Sequence, residues 1–176
     1  MTDESTSVRR AEPQEAEAIY QLLVECGRAM TERGLRNWDP PPASADKIRG
    51  EIAADIVLVA LGADGALLGS VTLRLVPTHE YGRDEAAGRV SWALPSAPAR
   101  YMNRLAVHPA RQGTGLGGRL MAESEAEARS AGAAALRFDV LAANGELVRW
   151  YERRGARVRG RRRHSGLDFV VMEKAL

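Results

Sequence analysis

The stretch His108–Gly118, HPARQGTGLGG, places four glycines in its last six residues, directly after the apolar run Leu105, Ala106 and Val107. Glycine in ordered structure costs about 0.5–1 kcal/mol relative to alanine, so this density implies that bare backbone is needed there. Amides of a glycine-rich turn that opens onto a helix point outward, and the helix dipole behind them favours negative charge. The turn therefore predicts an anion site of the pyrophosphate kind, with a tight turn for close helix–strand packing as the alternative. The letters GTGLGG also satisfy the dinucleotide fingerprint G-x-G-x-x-G, and Asp139 lies about twenty residues on, where a ribose-binding acid is sought. That fingerprint fails in context. His108 to Gln112 separate the strand from its first glycine, and Asp139 falls inside a strand candidate. A Walker-type phosphate loop fails as well, because Arg119 and Leu120 stand where its Lys and Ser/Thr belong.

Other side chains with chemistry are less patterned. Cys26 is the single cysteine, so no intramolecular disulfide forms, and the chain fits a reducing compartment. Its place on an apolar helical stripe reads as a small buried hydrophobe rather than a nucleophile. Glu80, Asp84 and Glu85 could contact a cationic amine, although solvated surface charge is the favoured reading of each. His108, at a strand end before Pro109, reads as structural. Five arginines lie between Arg157 and Arg163, yet the formal net charge is only +2 and the stretch has no stacking aromatics, so a solvated hairpin is favoured over nucleic-acid binding.

The elements that would position these groups follow from periodicity. A chain of 176 residues with 45% apolar and 27% charged residues suffices for one domain, residues 1–176, and excludes a wholly disordered or collagen-like chain. The N-terminus lacks a signal-like apolar core and no apolar stretch of about 18 residues exists, so a cytoplasmic protein is expected. Ser7 to Ala11 reads as a strand. Ala16, Ile19, Leu23, Cys26 and Met30 make a helical stripe ended by Gly34. A second helix is expected from Ala43 to Ala53 with Ser44 as cap, then an antiparallel hairpin turned at Asp64-Gly65. Pro77 to Ala99, with three prolines and little periodicity, reads as a long substrate loop. A strand at Tyr101 to His108, the glycine turn, and a helix from Thr114 to Ala131 come next, with Leu116, Leu120, Met121, Ser124 and Ala128 inward. A strand at Ala135 to Leu141, a short helix from Gly145 that stops at Gly155, and a hairpin turned at Ser165-Gly166 complete the order.

LAVHPARQGTGLGGRL resembles the acetyl-CoA motif of the GNAT superfamily of N-acyltransferases, Q/R-x-x-G-x-G/A, carried here by Gln112, Gly115 and Gly117. NGELVRWYERRGA is similar to the family's later segment N-x-x-A-x-x-L-Y-x-x-x-G-F, with Asn144, Tyr151 and Gly155 in register. Leu147, Trp150 and Ala156 depart from it at packing positions, which puts pocket shape in doubt more than activity. The resemblance covers nearly the whole chain. It implies an α/β (α+β) fold: a mixed, largely antiparallel central sheet with a splayed strand pair, flanked by about four helices.

The resemblance further implies acetyl-CoA as cosubstrate, without a metal, and direct attack by the amine of a small molecule or peptide. The pantetheine arm would run beside Leu105, Ala106 and Val107. The pyrophosphate would lie on the amides of Gln112, Gly113, Thr114, Gly115, Leu116, Gly117 and Gly118. Asn144 would hydrogen-bond the arm, cap its helix, or both. Tyr151 would give a proton to the departing thiolate, with simple packing as the alternative. Trp38 and Glu80 are the acceptor-contact candidates; the general base and the acceptor are not readable. No nucleic-acid or membrane partner is implied, a homodimer is a candidate assembly, and the competing function is a CoA-binding regulatory module without turnover.

Overall fold

The computed structural model describes residues 6–77 and 79–176, with the His79 side chain outside that description. The strands are β1 Ser7–Arg10, β2 Ile56–Leu61, β3 Leu67–Arg74, β4 Ala99–Val107, β5 Ala135–Leu141, β6 Arg157–His164 and β7 Leu167–Ala175. The helices are α1 Ala16–Glu32, α2 Ala45–Ala54, α3 His79–Ala86, α4 Leu116–Ser130 and α5 Gly145–Glu152. Two compact units divide them: Met1–Leu73 with Arg104–Glu127, and Arg74–Asn103 with Ala128–Leu176.

In the first unit, hydrogen bonds order the strands β1-β2-β3-β4. Pairing is antiparallel from β1 to β2 and from β2 to β3. Glu12 and Glu15 form a capping box around Pro13, and α1 then buries Ala16, Ile19, Leu23 and Cys26 on one stripe. The Ser44 hydroxyl accepts from the Lys47 amide at 3.2 Å, which starts α2 at Ala45, two residues after the expected Ala43. The β2–β3 hairpin turns at Asp64-Gly65 as the sequence predicts. Both faces of β3 are buried, Ser70 and Thr72 as well as Val71 and Leu73. Ile48 from α2, Val57 and Val59 from β2, and Ala106 from β4 join the α1 stripe in one core. Each fully buried Val, Leu or Ile contributes roughly 1.5–3 kcal/mol.

In the second unit the order is β4-β5-β7-β6. β7 is antiparallel to both neighbours. β4 pairs parallel with β5 over only Ala99–Tyr101 and Ala135–Arg137, which is the splayed pair. A buried ion pair, Arg137 Nε to Glu173 Oε1 at 3.2 Å, anchors this sheet. Arg137 also donates to the Leu94 carbonyl at 2.6 Å and stacks 4.4 Å from the Trp92 ring centroid, tying down residues 90–94.

The expected long loop from Pro77 to Ala99 contains α3, so among the described residues five helices stand where about four were expected. No apolar stripe announces α3, because its buried positions are Tyr81 and Asp84, three apart, and the second is charged. Along that face Tyr81 packs with Val90, Trp92 and Val171, and ion pairs of Asp84 add to that one apolar contact. Among the described residues no helix is long and apolar enough to cross a membrane.

Candidate active site

In the first unit the glycine turn is built at the end of β4. Gln112 Nε2 donates to the Val107 carbonyl at 3.1 Å, and the Cys26 thiol donates to the same oxygen at 3.3 Å. The Thr114 hydroxyl donates to the Arg111 carbonyl at 2.7 Å. Gly113 and Gly115 adopt φ of 78° and 93°, a left-handed backbone open to glycine at no steric cost. These two conformations also delay α4 from the expected Thr114 to Leu116. A Cβ at either glycine would meet nothing within 4 Å, so protein crowding does not explain them.

What the conformations achieve is seen in the amides. Among the described residues, the six consecutive N–H groups of Gly113 to Gly118 donate no hydrogen bond, and α4 makes its first bond from the Arg119 amide to the Gly115 carbonyl at 3.1 Å. Residues Gln112 to Gly115 are exposed. A run of unpaired donors at the positive end of a helix is an anion cradle. The residues thus fit a pyrophosphate: donors, dipole and space are all present.

In the second unit, Asn144 caps α5, its Oδ1 accepting from the Leu147 amide at 3.3 Å. That fulfils one of the two roles expected of Asn144 and leaves its amide nitrogen for a ligand. Tyr151 is buried on α5, its ring against Phe138 and edge-on to Trp150. Burial pushes its phenol well above the ordinary tyrosine range, outweighing the opposing pull of Arg154. The hydroxyl holds its proton at neutral pH, as an ordinary tyrosine also does.

Of the acids in α3, Asp84 is buried, not solvated as expected. It pairs with Arg89 at 2.8 Å. Glu80 pairs with Arg162, and at 3.2 Å with His164, so a cationic amine would compete with these partners for its charge. Trp38 joins the first unit's core as a partly buried ring, and a Cβ at Gly27 would collide with its carbonyl oxygen. His108 is structural, as expected: Nδ1 accepts from the Ala110 amide at 3.2 Å and Nε2 lies 2.9 Å from Glu25.

Two polar clusters escaped the sequence reading. Arg162, expected in a solvated hairpin, is buried. It donates to Asp139 at 2.9 Å, pairs with Glu80, and sets Nε 3.3 Å from Asp84. Burial raises Asp139 above the usual carboxylate range despite Arg162, and the Tyr81 phenol, between them, is raised by the same cause. The second cluster joins Glu51, Thr72 and Arg104. Its signal was the buried pair Ile48 and Glu51, a charge on the inward stripe of α2. Among the described residues no group of three or more His, Cys, Asp or Glu is arranged to hold a metal ion.

The sequence model of the acetyltransferase (GNAT) family matches residues 16–156, from the start of α1 to the residue after Gly155. The chain belongs to the GNAT family. No curated protein matches its sequence. Solved structures similar to this GNAT chain include a GNAT-family acetyltransferase of Listeria monocytogenes 4b F2365, 24% identical, with 97% of this chain and 95% of that one covered and a TM-score of 0.77. The PaiA N-acetyltransferase of Thermoplasma acidophilum, in complex with coenzyme A, is 20% identical over 98% and 99%, with a TM-score of 0.72. The yncA protein of Salmonella typhimurium, with its cofactor acetyl-CoA, is 20% identical over 98% and 95%, with a TM-score of 0.71. At these identities the likeness establishes the GNAT fold, and the pairing of β4 with β5 over three residues is its splayed strand pair.

Proposed function

We propose that the chain is an acetyl-CoA-dependent N-acetyltransferase, one domain over residues 1–176, which acetylates a primary amine of a small molecule or peptide. The observation that carries this reading is the run of unpaired amides from Gly113 to Gly118 at the start of α4. With Gln112, these amides are the pyrophosphate ligands. Leu105, Ala106 and Val107 offer strand backbone to the amide-bearing arm, in the manner of an added strand. Asn144 contributes its free amide nitrogen to that arm.

Bound acetyl-CoA supplies a thioester open to a neutral amine. The chain's own part is to hold both reactants and to manage two protons. Tyr151, whose phenol is protonated at neutral pH, donates to the departing sulfur. Trp38 and Glu80, both half-buried, contact the acceptor with the surface they leave open.

The test is release of free thiol from acetyl-CoA against a panel of polyamines, aminoglycosides, amino acids and peptide N-termini. Turnover above background with one class names the acceptor. CoA binding without turnover by any of them is what a regulatory module would give.

A further inference from the structure

Among the described residues two non-glycines have positive φ, Ser165 at 49° and Arg104 at 53°. Ser165 needs no special account: with Gly166 at 77° it forms the two-residue turn of the β6–β7 hairpin, where left-handed backbone matches the twist of the strands. Arg104 lies inside a strand, β4, where such a φ is costly and persists only if the surroundings enforce it.

The enforcing groups are Glu51 and Thr72. The Arg104 guanidinium pairs through Nη2 with the Glu51 carboxylate of α2, and the same nitrogen lies 3.3 Å from the Thr72 hydroxyl of β3. The Arg104 and Glu51 side chains are only 10% and 9% exposed. Arg104 Nη1 is buried without a hydrogen-bond partner. A buried ion pair with an orphaned donor is a poor way to gain stability, since apolar residues of the same shape usually do as well or better. It is an effective way to fix geometry.

The position gives that geometry its use. β4 pairs with β5 through Tyr101, and Arg104 stands three residues further along, immediately before Leu105, Ala106 and Val107. We propose that Glu51 is a positioning residue that acts through Arg104: the buried pair holds the left-handed backbone at 104 and so aims the Leu105–Val107 edge that receives the acetyl-CoA arm. This rests on the transferase reading given above. Thr72 supports the same guanidinium from the neighbouring strand.

Glycine at 104 separates backbone from side chain, because it keeps the left-handed φ without any ion pair. Four variants suffice: Glu51→Ala, Glu51→Gln, Arg104→Ala and Arg104→Gly. Thermal unfolding of each confirms a folded sample, and kcat and KM for acetyl-CoA are then measured by thiol release. Misaiming of about an ångström costs up to about 100-fold, so Glu51→Ala and Arg104→Ala should lose about tenfold or more in kcat/KM. Arg104→Gly should recover most of that loss, and Glu51→Gln, which keeps a hydrogen-bond acceptor, should fall between Glu51→Ala and the parent. A merely structural pair would lower the unfolding temperature of Arg104→Gly as much as that of Arg104→Ala and leave kcat and KM of the folded protein unchanged. Parental kcat/KM in folded Glu51→Ala, or glycine no better than alanine at 104, overturns the proposal. The Cα chemical shift and the amide–Hα coupling of residue 104 provide a readout independent of activity. They should report positive φ in the parent and its loss in Glu51→Ala; retention of positive φ in that variant refutes the clamp even if the transferase reading stands. A parent that neither binds CoA nor releases thiol refutes the transferase reading instead.

Discussion

The rings of Phe138 and Tyr151 pack with centroids 4.6 Å apart and planes tilted by 47°. Phe138 belongs to β5 and Tyr151 to α5, so the aromatic contact seats the helix on the strand and fixes the phenol. Removal of the hydroxyl alone leaves this contact intact.

Tyr151→Phe should therefore fold as the parent does and bind CoA with unchanged affinity. Its kcat and kcat/KM should fall together, because general-acid assistance contributes about 10²–10⁴-fold, less where the leaving group is a good one. Burial raises the phenol, so it stays protonated across an ordinary assay range and should produce no alkaline loss of parental kcat below about pH 10. Unchanged kcat where chemistry limits the rate would remove Tyr151 from the mechanism. Weakened CoA binding with unchanged kcat would assign it to the cofactor site.

Cys26 gives a test of the first unit's packing. Burial pushes its thiol up to about 12, helped by the charge of Glu25. Alkylation in the native state should be slow and still rising without a plateau through about pH 10, whereas an exposed thiol near about 8.5 would level off once above its pKa. Because the folded value is the higher one, the folded state holds the proton more tightly, and stability is lost as pH rises from about 8.5 to about 12. Cys26→Ala should flatten that alkaline limb in a denaturation series. Rapid labelling of the native thiol at pH 8 would contradict the packing.

Arg162 answers buried Asp84 and half-buried Asp139 and Glu80 at once. Arg162→Met leaves these carboxylates without their cation and should cost about 3–5 kcal/mol, read by urea denaturation with an unchanged slope. Exposed Arg161→Ala, on the same strand, should stay within about 0.5 kcal/mol. Equal effects at the two positions would show that the cluster is not the anchor of α3.

The contrast between these residues explains what the sequence revealed. Stripes such as Ala16, Ile19, Leu23 and Cys26, or Leu116, Leu120, Met121, Ser124 and Ala128, are periodic and local, so the helices they define could be read from spacing. The turn at Gly113 and Gly115 was legible because glycine density reports unusual backbone. α3 was not, since the partners that bury its inward face, Trp92, Tyr101 and Val171 around Tyr81 and Arg162 beside Asp84, lie far along the chain. Arg104 and Glu51 are hidden for the same reason: nothing near either residue in the chain announces the other. The acceptor is the least legible part, because the residues proposed to contact it, Trp38 and Glu80, lie in unpatterned segments.

The central claim is that the amides of Gly113 to Gly118 hold the pyrophosphate of CoA, and titration calorimetry tests it most directly. The parent should bind CoA at a single site and far more tightly than NAD. Gly115→Ala carries the penalty of a side chain at left-handed φ, about 1–2 kcal/mol, and should weaken binding modestly, whereas Gly115→Glu adds a carboxylate facing the phosphates and should abolish it. A folded Gly115→Glu variant that binds CoA as tightly as the parent, or a parent that prefers NAD, would contradict the account.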